Sequence, residues 1–349
     1  MKKCAIAVLF GGCSAEYGVS LESAHAVLSH IDQEKYTPIP IGISREGDWF
    51  YYTGAFSKIL EDVWCGSDDC VPAAVSPSRG THGLLVVGPG GVETIRLDAA
   101  FPVLHGKNGE DGTVQGLFEL AGIPVVGCGV LASALCMDKD RAHKLAQAAG
   151  VAVPASFVVK RGADVQQVLA QAEELGYPVF VKPVRAGSSY GITKVKGRTE
   201  LLPALRLAFQ YDERVILEEC ISGFETGCAI LGNDELTVGE LDEIVLSGDF
   251  FDFAEKYTLK TSAIHVPARI PPDKAREVKE AAQKVYRALD CRGFARVDLF
   301  LEEGGRIVFN EVNTIPGFTA HSRYPSMMKA SGLSFEQMLT RVIELAVEP

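Results

Sequence analysis

The sequence predicts a protein of mixed α/β and α+β class, and three observations carry that reading. A continuous apolar run, CAIAVLF at 4–10, passes through the glycine turn GGCSAEYGVS into a helix expected to reach about His30. Strand, turn and helix in that order open a doubly wound unit, whose ligand crevice lies at the carboxyl ends of its strands. Residues 155–225 then alternate strand, helix, strand, loop, strand, helix, strand, which is a compact α+β unit. Finally, FARVDLFLEEGGRIVFNEVNTIPGFTAHSR, from Phe294 to Arg323, reads as two alternating strands about a glycine turn.

A length of 349 residues exceeds one ordinary core and suggests two or three domains. With 47% apolar and 23% charged residues, the chain has the composition of a soluble globular protein. A net charge of -11 argues against nucleic-acid binding, which needs clustered Lys and Arg, but leaves room for a nucleotide held by a few lysines. The nine cysteines show neither CxxC nor metal-ligand spacing and read as reduced core residues of a cytosolic protein. MKK, a short apolar run and GGC superficially imitate a lipoprotein signal. The run is only seven residues and flows into a folded motif, so it is expected to be the first buried strand. No stretch approaches the roughly 18 apolar residues of a membrane span. The expected location is therefore the cytoplasm, away from the membrane.

In the first unit, Glu16 follows the glycine turn. It is either an acid of the ligand crevice or a helix-start acid favouring the macrodipole. Residues 36–44 and 48–54 form a second strand and its hairpin partner, and 66–82 read as a surface loop. LLVVG, GPGG and VETIRL return to the sheet. His105 stands at the exit of a strand, before the glycine-rich HGKNGEDG and another helix, which favours ligand contact over a satisfied core histidine. Asp138 caps a helix reaching about Gly150, and Lys139 falls in its first turn. A cation there is easier to explain if it meets an anion. In the α+β unit, Lys182 ends a buried strand and leads into RAGSSYG, whose Ser188 and Ser189 suit a mobile flap over phosphates. It is not a Walker A loop, and the first unit lacks GxGxxG, which counts against a dinucleotide oxidoreductase. Glu218 and Glu225 follow the next strand as acceptors for adenine and ribose hydroxyls. FFDFAEKYTLK mixes aromatics with charge and suggests a lid. A helix at 273–289 precedes the hairpin, and one at 334–347 ends the chain.

In the hairpin, alternation puts Asp298 on one strand face and Glu311 and Asn313 on the partner's. Pairing about Glu303-Gly304-Gly305 brings Asp298 opposite Glu311, roughly 4.5–5.5 Å apart. Two carboxylates that close repel unless a cation lies between them, and an all-oxygen set suits magnesium. A solvated acidic face or an ion pair to Arg296 is the competing explanation.

GGxSxE, HGxxGEDG with LxG(I)PxxG, MDK, VKPxxxGSSxG, EKY and RVDxxxxxxGxxxxNEVNTxPGxT, in this order and spacing, resemble the D-alanine-D-alanine ligases of the ATP-grasp superfamily. The resemblance covers essentially the whole chain. It implies a Rossmann-like domain at 1–137, a central ATP-grasp subdomain at 138–225 and a C-terminal subdomain with lid and metal site at 226–349. It further implies that Lys139 and Lys182 contact ATP phosphates, with Lys182 near the adenine too. Ser188 and Ser189 would cover the phosphates, Glu218 and Glu225 would hold adenine and ribose, and Lys256 would meet the γ-phosphate. Asp298, Glu311 and Asn313 would ligate two Mg2+, with Mn2+ as a substitute. Glu16 would bind the first D-Ala ammonium in a triad with Ser188 and Tyr257, and His105 would lie beside its carboxylate. Arg296 and the Gly317 N-H would stabilise the oxyanion, and Ser322 would fix the second carboxylate. A homodimer is the family's implied assembly.

The chain departs from the family in having Gly18 where an acid or other polar residue is usual, which should loosen the helix start by up to ~1 kcal/mol. Tyr257 resembles ligases that use an amino acid rather than D-lactate, and His265 reads as an ordinary strand residue. Arg323, beside the second-substrate site, together with ALCMDKDRAHKL and FNEVNTIPGFTAHSRYP, is similar to the vancomycin-resistance-type D-alanine-D-serine ligases. A guanidinium there would supply a partner for a serine hydroxyl. The expected reaction makes D-Ala-D-Ala or D-Ala-D-Ser for peptidoglycan precursors through an acyl phosphate. Alternatives are an ATP-grasp ligase for another small carboxylate or a non-catalytic nucleotide-binding relative.

Overall fold

The computed structural model describes residues 3–187, 190–245 and 263–348. The first segment builds a seven-stranded sheet in the order β6-β5-β4-β3-β2-β1-β7, from β1 (Cys4–Gly11), β2 (Tyr36–Ile43), β3 (Trp49–Tyr52), β4 (Cys70–Val75), β5 (Gly83–Gly88), β6 (Gly91–Arg96) and β7 (Ala99–Pro102). β1 runs parallel to both β2 and β7, as an apolar strand buried on two faces requires. The remaining neighbours pair antiparallel, so the doubly wound character is confined to three strands. The expected loop at 66–82 contains β4, a correction: Cys-Val-Pro-Ala-Ala-Val pairs with β3 and β5 although its Pro72 suits an edge. Helices α1 (Tyr17–His30), α2 (Ser57–Leu60), α3 (Thr113–Ala121) and α4 (Val130–Met137) accompany this sheet. Gly18 sits in the first turn of α1 with open space about it, so a side chain would meet nothing there.

The middle of the chain contributes α5 (Lys139–Ala148) and a four-stranded antiparallel sheet, β10-β9-β11-β8, from β8 (Ser156–Lys160), β9 (Val179–Pro183), β10 (Thr193–Val195) and β11 (Arg214–Glu219). Helices α6 (Val165–Leu175) and α7 (Arg198–Ala208) pack on it. Asp138 caps α5 as expected, its carboxylate accepting from Arg141 N at 3.1 Å. The last sheet, β15-β14-β12-β16-β17 with β13 also on β12, is made of β12 (Phe224–Leu231), β13 (Thr237–Leu241), β14 (Glu243–Val245), β15 (Ala263–His265), β16 (Phe294–Leu301) and β17 (Ile307–Asn313). His265 is a strand residue in β15, as read from the sequence. α8 (Pro272–Ala288), α9 (Arg323–Ala330) and α10 (Phe335–Val347) complete the described elements.

The C-terminal helices do not stay with their own sheet. Met327, Met328, Leu339, Val342 and Ile343 are buried with Ile6, Val8 and Phe10 of β1 in one apolar cluster. Phe318 stands at its centre, with ring centroids 5.5 Å from Phe101, 5.2 Å from Phe294 and 5.9 Å from Tyr324. Such edge and stacked pairs add about 0.5–1.5 kcal/mol each beyond area burial. The loop between β17 and α9 is thereby fixed against the N-terminal sheet, at the mouth of the crevice. All nine cysteines are unpaired, but Cys13 and Cys65 are exposed. The expectation of core thiols holds for Cys128, Cys136, Cys228 and Cys291 and fails for those two, which lie in polar turns.

Candidate active site

A cleft of about 540 Å³ opens between the N-terminal sheet and the last sheet. Glu16, His105 and Glu110 line one side, Lys139 and Gly187 the next, and Arg296, Glu311, Asn313, Gly317, Ser322 and Arg323 the other. Asp298 faces Glu311 and Arg296 faces Asn313, as expected for the hairpin, but through a bulge rather than through strict alternation. The extra residue of that bulge is Asn310 in β17, which re-aims Glu311 onto the face of Asp298.

The acids here are already matched by cations. Arg296 donates to both oxygens of Asp298, from Nε at 2.7 Å and Nη2 at 2.8 Å. Arg323, the first residue of α9, reaches Asp242 from Nε at 2.6 Å and Nη2 at 3.0 Å, and Glu225 from Nη1 at 3.1 Å. Its Nη2 also lies 3.3 Å from Asp298 Oδ1. Burial opposes charge throughout this cluster, but the opposed charges win. The carboxyl of Asp242 is held below the usual range chiefly by Arg323, and the Arg323 guanidinium is held well above its ordinary value by Asp242 and Asp298. Gly227 makes the floor: a Cβ there would lie 2.6 Å from Arg323 Nη2 and 3.0 Å from Asp298 Oδ1. Asp242 then accepts the Gly227 N-H at 2.6 Å.

Lys139 finds the anion its position asked for. Its Nζ is 3.3 Å from Glu311 and donates to Ala186 O at 2.9 Å. Lys182 on β9 and Glu218 on β11 share a sheet face and pair at 2.6 Å. Burial works against both charges, yet Glu218 keeps the Lys182 ammonium above its ordinary value, and Lys182 with His143 keeps the Glu218 carboxyl below its own. The other Glu218 oxygen, Oε1, is 3.8 Å from His143 Nδ1, and neither atom has a hydrogen-bond partner. At that distance the contact is an ion pair at most, not a hydrogen bond.

Glu16 precedes α1 but makes no side-chain cap, so the macrodipole does not account for it alone. Its carboxylate lies so close over Gly106 that a Cβ there would sit 2.6 Å from Oε2. His105 is buried and bonded through both ring nitrogens, Nδ1 to Ile315 O at 2.8 Å and Nε2 to Ser23 Oγ at 3.3 Å. Glu110 accepts Gly106 N at 2.7 Å and Ile315 N at 3.4 Å, and burial beside Glu16 pushes its carboxyl up to about 8. Gly317 lines the cleft, and Ser322 Oγ meets Thr319 N at 3.1 Å and Thr319 Oγ1 at 2.8 Å. Ser188, Ser189, Lys256 and Tyr257 lie outside the described residues.

The structure thus brings Glu16, His105, Lys139, Arg296, Glu311, Asn313, Gly317, Ser322 and Arg323 to one cleft, with Asp298 beneath it. Lys182 and Glu218 stand together at a separate sheet face, and Glu225 turns toward Arg323. Glu110, Asp242 and His143 were not singled out from sequence. An acid inside the glycine-rich HGKNGEDG was a usable signal for Glu110. Asp242 and His143 become visible only when strands or helices distant in sequence are brought together. Among the described residues no three His, Cys, Asp or Glu side chains converge as a metal cluster. The oxygens read from sequence as a cation set are engaged otherwise here: both of Asp298 by Arg296, the competing explanation, with Glu311 facing Lys139 at 3.3 Å and Asn313 Oδ1 accepting Ile315 N at 3.1 Å.

Two family profiles match the chain: D-ala D-ala ligase N-terminus over residues 5–128 and D-ala D-ala ligase C-terminus over 145–344. The chain is 48% identical to the Vancomycin B-type resistance protein VanB of Enterococcus faecalis, over 100% of both chains. It is 45% identical to a D-alanine--D-alanine ligase of Caldicellulosiruptor bescii, over 100% of this chain and 96% of that one. Among solved structures, the VanG D-Ala:D-Ser ligase from Enterococcus faecalis superposes with a TM-score of 0.93 at 57% identity, covering 99% of this chain and 100% of that one. The ATP-grasp fold implies use of ATP and a divalent metal. By profile, relatives and fold, the chain belongs to the D-alanine-D-alanine ligase family of ATP-grasp enzymes.

Proposed function

We propose that this enzyme phosphorylates D-Ala with ATP and joins the resulting acyl phosphate to D-Ala or D-Ser, supplying a dipeptide for peptidoglycan in the cytoplasm. The observation that carries the reading is a single cleft lined by an acid for an ammonium, Glu16, and by a guanidinium and a glycine N-H for an oxyanion, Arg296 and Gly317. A carboxylate is a poor electrophile, so the γ-phosphoryl group moves onto it first and ADP leaves. Lys139, Lys182 and Lys256 neutralise the approaching anions. Two Mg2+, or Mn2+, held by Asp298, Glu311 and Asn313 would supply further charge neutralisation for the transfer. The amine of the second amino acid then attacks the acyl carbon and phosphate departs. Arg296 and Gly317 N-H hold the oxyanion. Ser188, Ser189 and Tyr257 exclude water while the acyl phosphate lives, and Tyr257 and Ser188 keep Glu16 on the ammonium. Glu218 and Glu225 hold adenine and ribose, His105 lies beside the first carboxylate, and Ser322 fixes the second.

Arg323 supports D-Ser beside D-Ala as second substrate, because its guanidinium lines the cleft while Asp242 orients it. The working unit is a homodimer of three-domain chains divided at 1–137, 138–225 and 226–349. The test is phosphate release with ATP and Mg2+ for D-Ala alone, D-Ala plus D-Ser, and D-Ala plus D-lactate, with products resolved by mass. Phosphate and dipeptide are expected from the first two. No release from any of the three refutes the ligase reading, and equal use of D-lactate at neutral pH refutes the role given to Tyr257.

A further inference from the structure

Ile315, Pro316, Gly317 and Phe318 have the residue pattern of a tight turn, with Pro and Gly at its centre, but the chain neither turns nor bends at Pro316 and Gly317, and Gly317 does not take a positive φ. In such a turn the first carbonyl usually accepts the fourth N-H. Here that bond is absent, and two side chains of the N-terminal unit occupy its place. Phe318 N donates to Ser23 Oγ at 3.1 Å, Ser23 meets His105 Nε2 at 3.3 Å, and His105 Nδ1 meets Ile315 O at 2.8 Å.

The four groups satisfy one another in only one direction. Nδ1-H donates to the carbonyl, the bare Nε2 accepts the serine hydroxyl proton, and the serine oxygen accepts the amide. Burial, the largest influence on His105, favours the neutral imidazole this requires. Ser23 is 0% exposed and Phe318 1%, so water does not compete. Glu110, on the same side of the cleft, takes the Ile315 N-H at 3.4 Å, a bond shared with Asn313 Oδ1 at 3.1 Å. Both ends of this segment are thus held from α1 and the loop after β7, and Gly317 between them lines the cleft.

We propose that Ser23 and His105 are positioning residues for the ligase reaction, a relay that ties Ile315 O to Phe318 N and so sets where the Gly317 N-H between them points. His105 then acts through the loop as well as lying beside the first carboxylate. This rests on the ligase reading above, in which the Gly317 N-H meets the oxyanion of the second step. A loop carrying an oxyanion donor should matter to amide formation and little to phosphoryl transfer, because the tetrahedral centre exists only in the former.

The test is rapid-quench measurement of ADP formation and dipeptide formation in the first turnover, for wild type and Ser23→Ala. The smaller side chain fits the same space. Dipeptide formation should slow by about tenfold or more, as expected when a group is moved slightly from its working geometry, while the ADP burst keeps its rate. Equal slowing of both steps, or no change in either, overturns the relay. A wild-type protein that forms neither ADP nor dipeptide overturns the ligase reading instead. Ser23→Cys is the second variant and serves if Ser23→Ala does not fold. Its thiol is a weak donor and acceptor in place of the hydroxyl, so it should show the same selective slowing to a smaller degree. A raised KM for the first D-Ala with a slowed ADP burst in either variant would mean that Ser23 acts through the first substrate's site, and would overturn the relay.

Discussion

Two buried charge clusters flank the cleft, and they are built differently. Around Arg323, every acid oxygen with a known contact meets a guanidinium or backbone N-H: Asp298 on Arg296, Asp242 on Arg323 and Gly227 N. Around Lys182, one Glu218 oxygen is paired and the other faces His143 Nδ1 at 3.8 Å without a hydrogen bond. The difference follows from the cation. A guanidinium presents five donors in a planar fork and can hold two carboxylates at once, whereas an ammonium is a point charge that satisfies one side. The first cluster is therefore a frame, and the second keeps a buried acceptor ready for a donor.

The comparison breaks hardest at Asp242. Asp242→Ala leaves Arg323 buried without its bidentate partner, and removal of one member of such a pair typically costs about 3–5 kcal/mol. Urea unfolding should show that loss as a lower midpoint with an unchanged slope. A midpoint equal to wild type would mean that Glu225 and Asp298 suffice and that the cluster is not a frame.

Arg323→Met attacks the same cluster from the substrate side. It should lower the D-Ser to D-Ala product ratio by about tenfold, the scale of losing one hydroxyl partner. Product masses from a mixture of both amino acids measure this, and an unchanged ratio removes Arg323 from substrate choice. The ratio is an internal comparison, so a general loss of stability does not affect it.

How much of this was legible beforehand depends on how far each contact reaches along the chain. The nearness of Asp298 to Glu311 was legible because a hairpin is local, but strict period two about the glycine turn would set Asp298 against Asn310, and the bulge that shifts it to Glu311 is not visible in the residue pattern. The cap at Asp138 was equally local. Asp242 lies in LTVGELDEIVL, which reads as one strand, and nothing in that run shows that it breaks between β13 and β14 beside Gly227 of β12 and so reaches Arg323, 81 residues on. The helix starting at Arg323 was hidden because Pro325 sits in its first turn, where proline is tolerated but reads as a break. Ser23 looks like a small polar residue on an apolar helix until Phe318 arrives, 295 residues later.

Glu218→Gln should be milder than Asp242→Ala, at about 1–2 kcal/mol. It removes the charge facing Lys182, and hydrogen bonds to charged groups are worth roughly 1.5–3 kcal/mol. The new amide offsets part of this, because one face still accepts from Lys182 and the other can donate to His143 Nδ1. His143 Nε2 is already used by Asn310 O at 2.9 Å, which leaves Nδ1 as the acceptor. Thermal unfolding of the two variants side by side measures the ordering, and a larger loss for Glu218→Gln would invert the comparison.

Glu110 supplies the missing third case, a buried acid whose carboxylate meets backbone N-H groups and a second acid instead of a cation. Asp242 and Glu218 are held below their ordinary values, so each contributes stability that is present above the unfolded pKa and lost as pH falls through the folded one. Glu110 has the opposite sign. Its carboxyl is raised from 4.5 to about 8, so its contribution is fully present below the unfolded value and is lost as pH rises toward 8. Glu110→Gln keeps the shape and an acceptor while removing the ionisation. Its Tm relative to wild type should therefore rise between pH 5 and pH 8, by the roughly 2–4 °C that about 1 kcal/mol gives in a domain of this size. A difference that stays constant across that window would mean that Glu110 is ionised in the folded protein throughout, held by its two N-H donors despite burial beside Glu16.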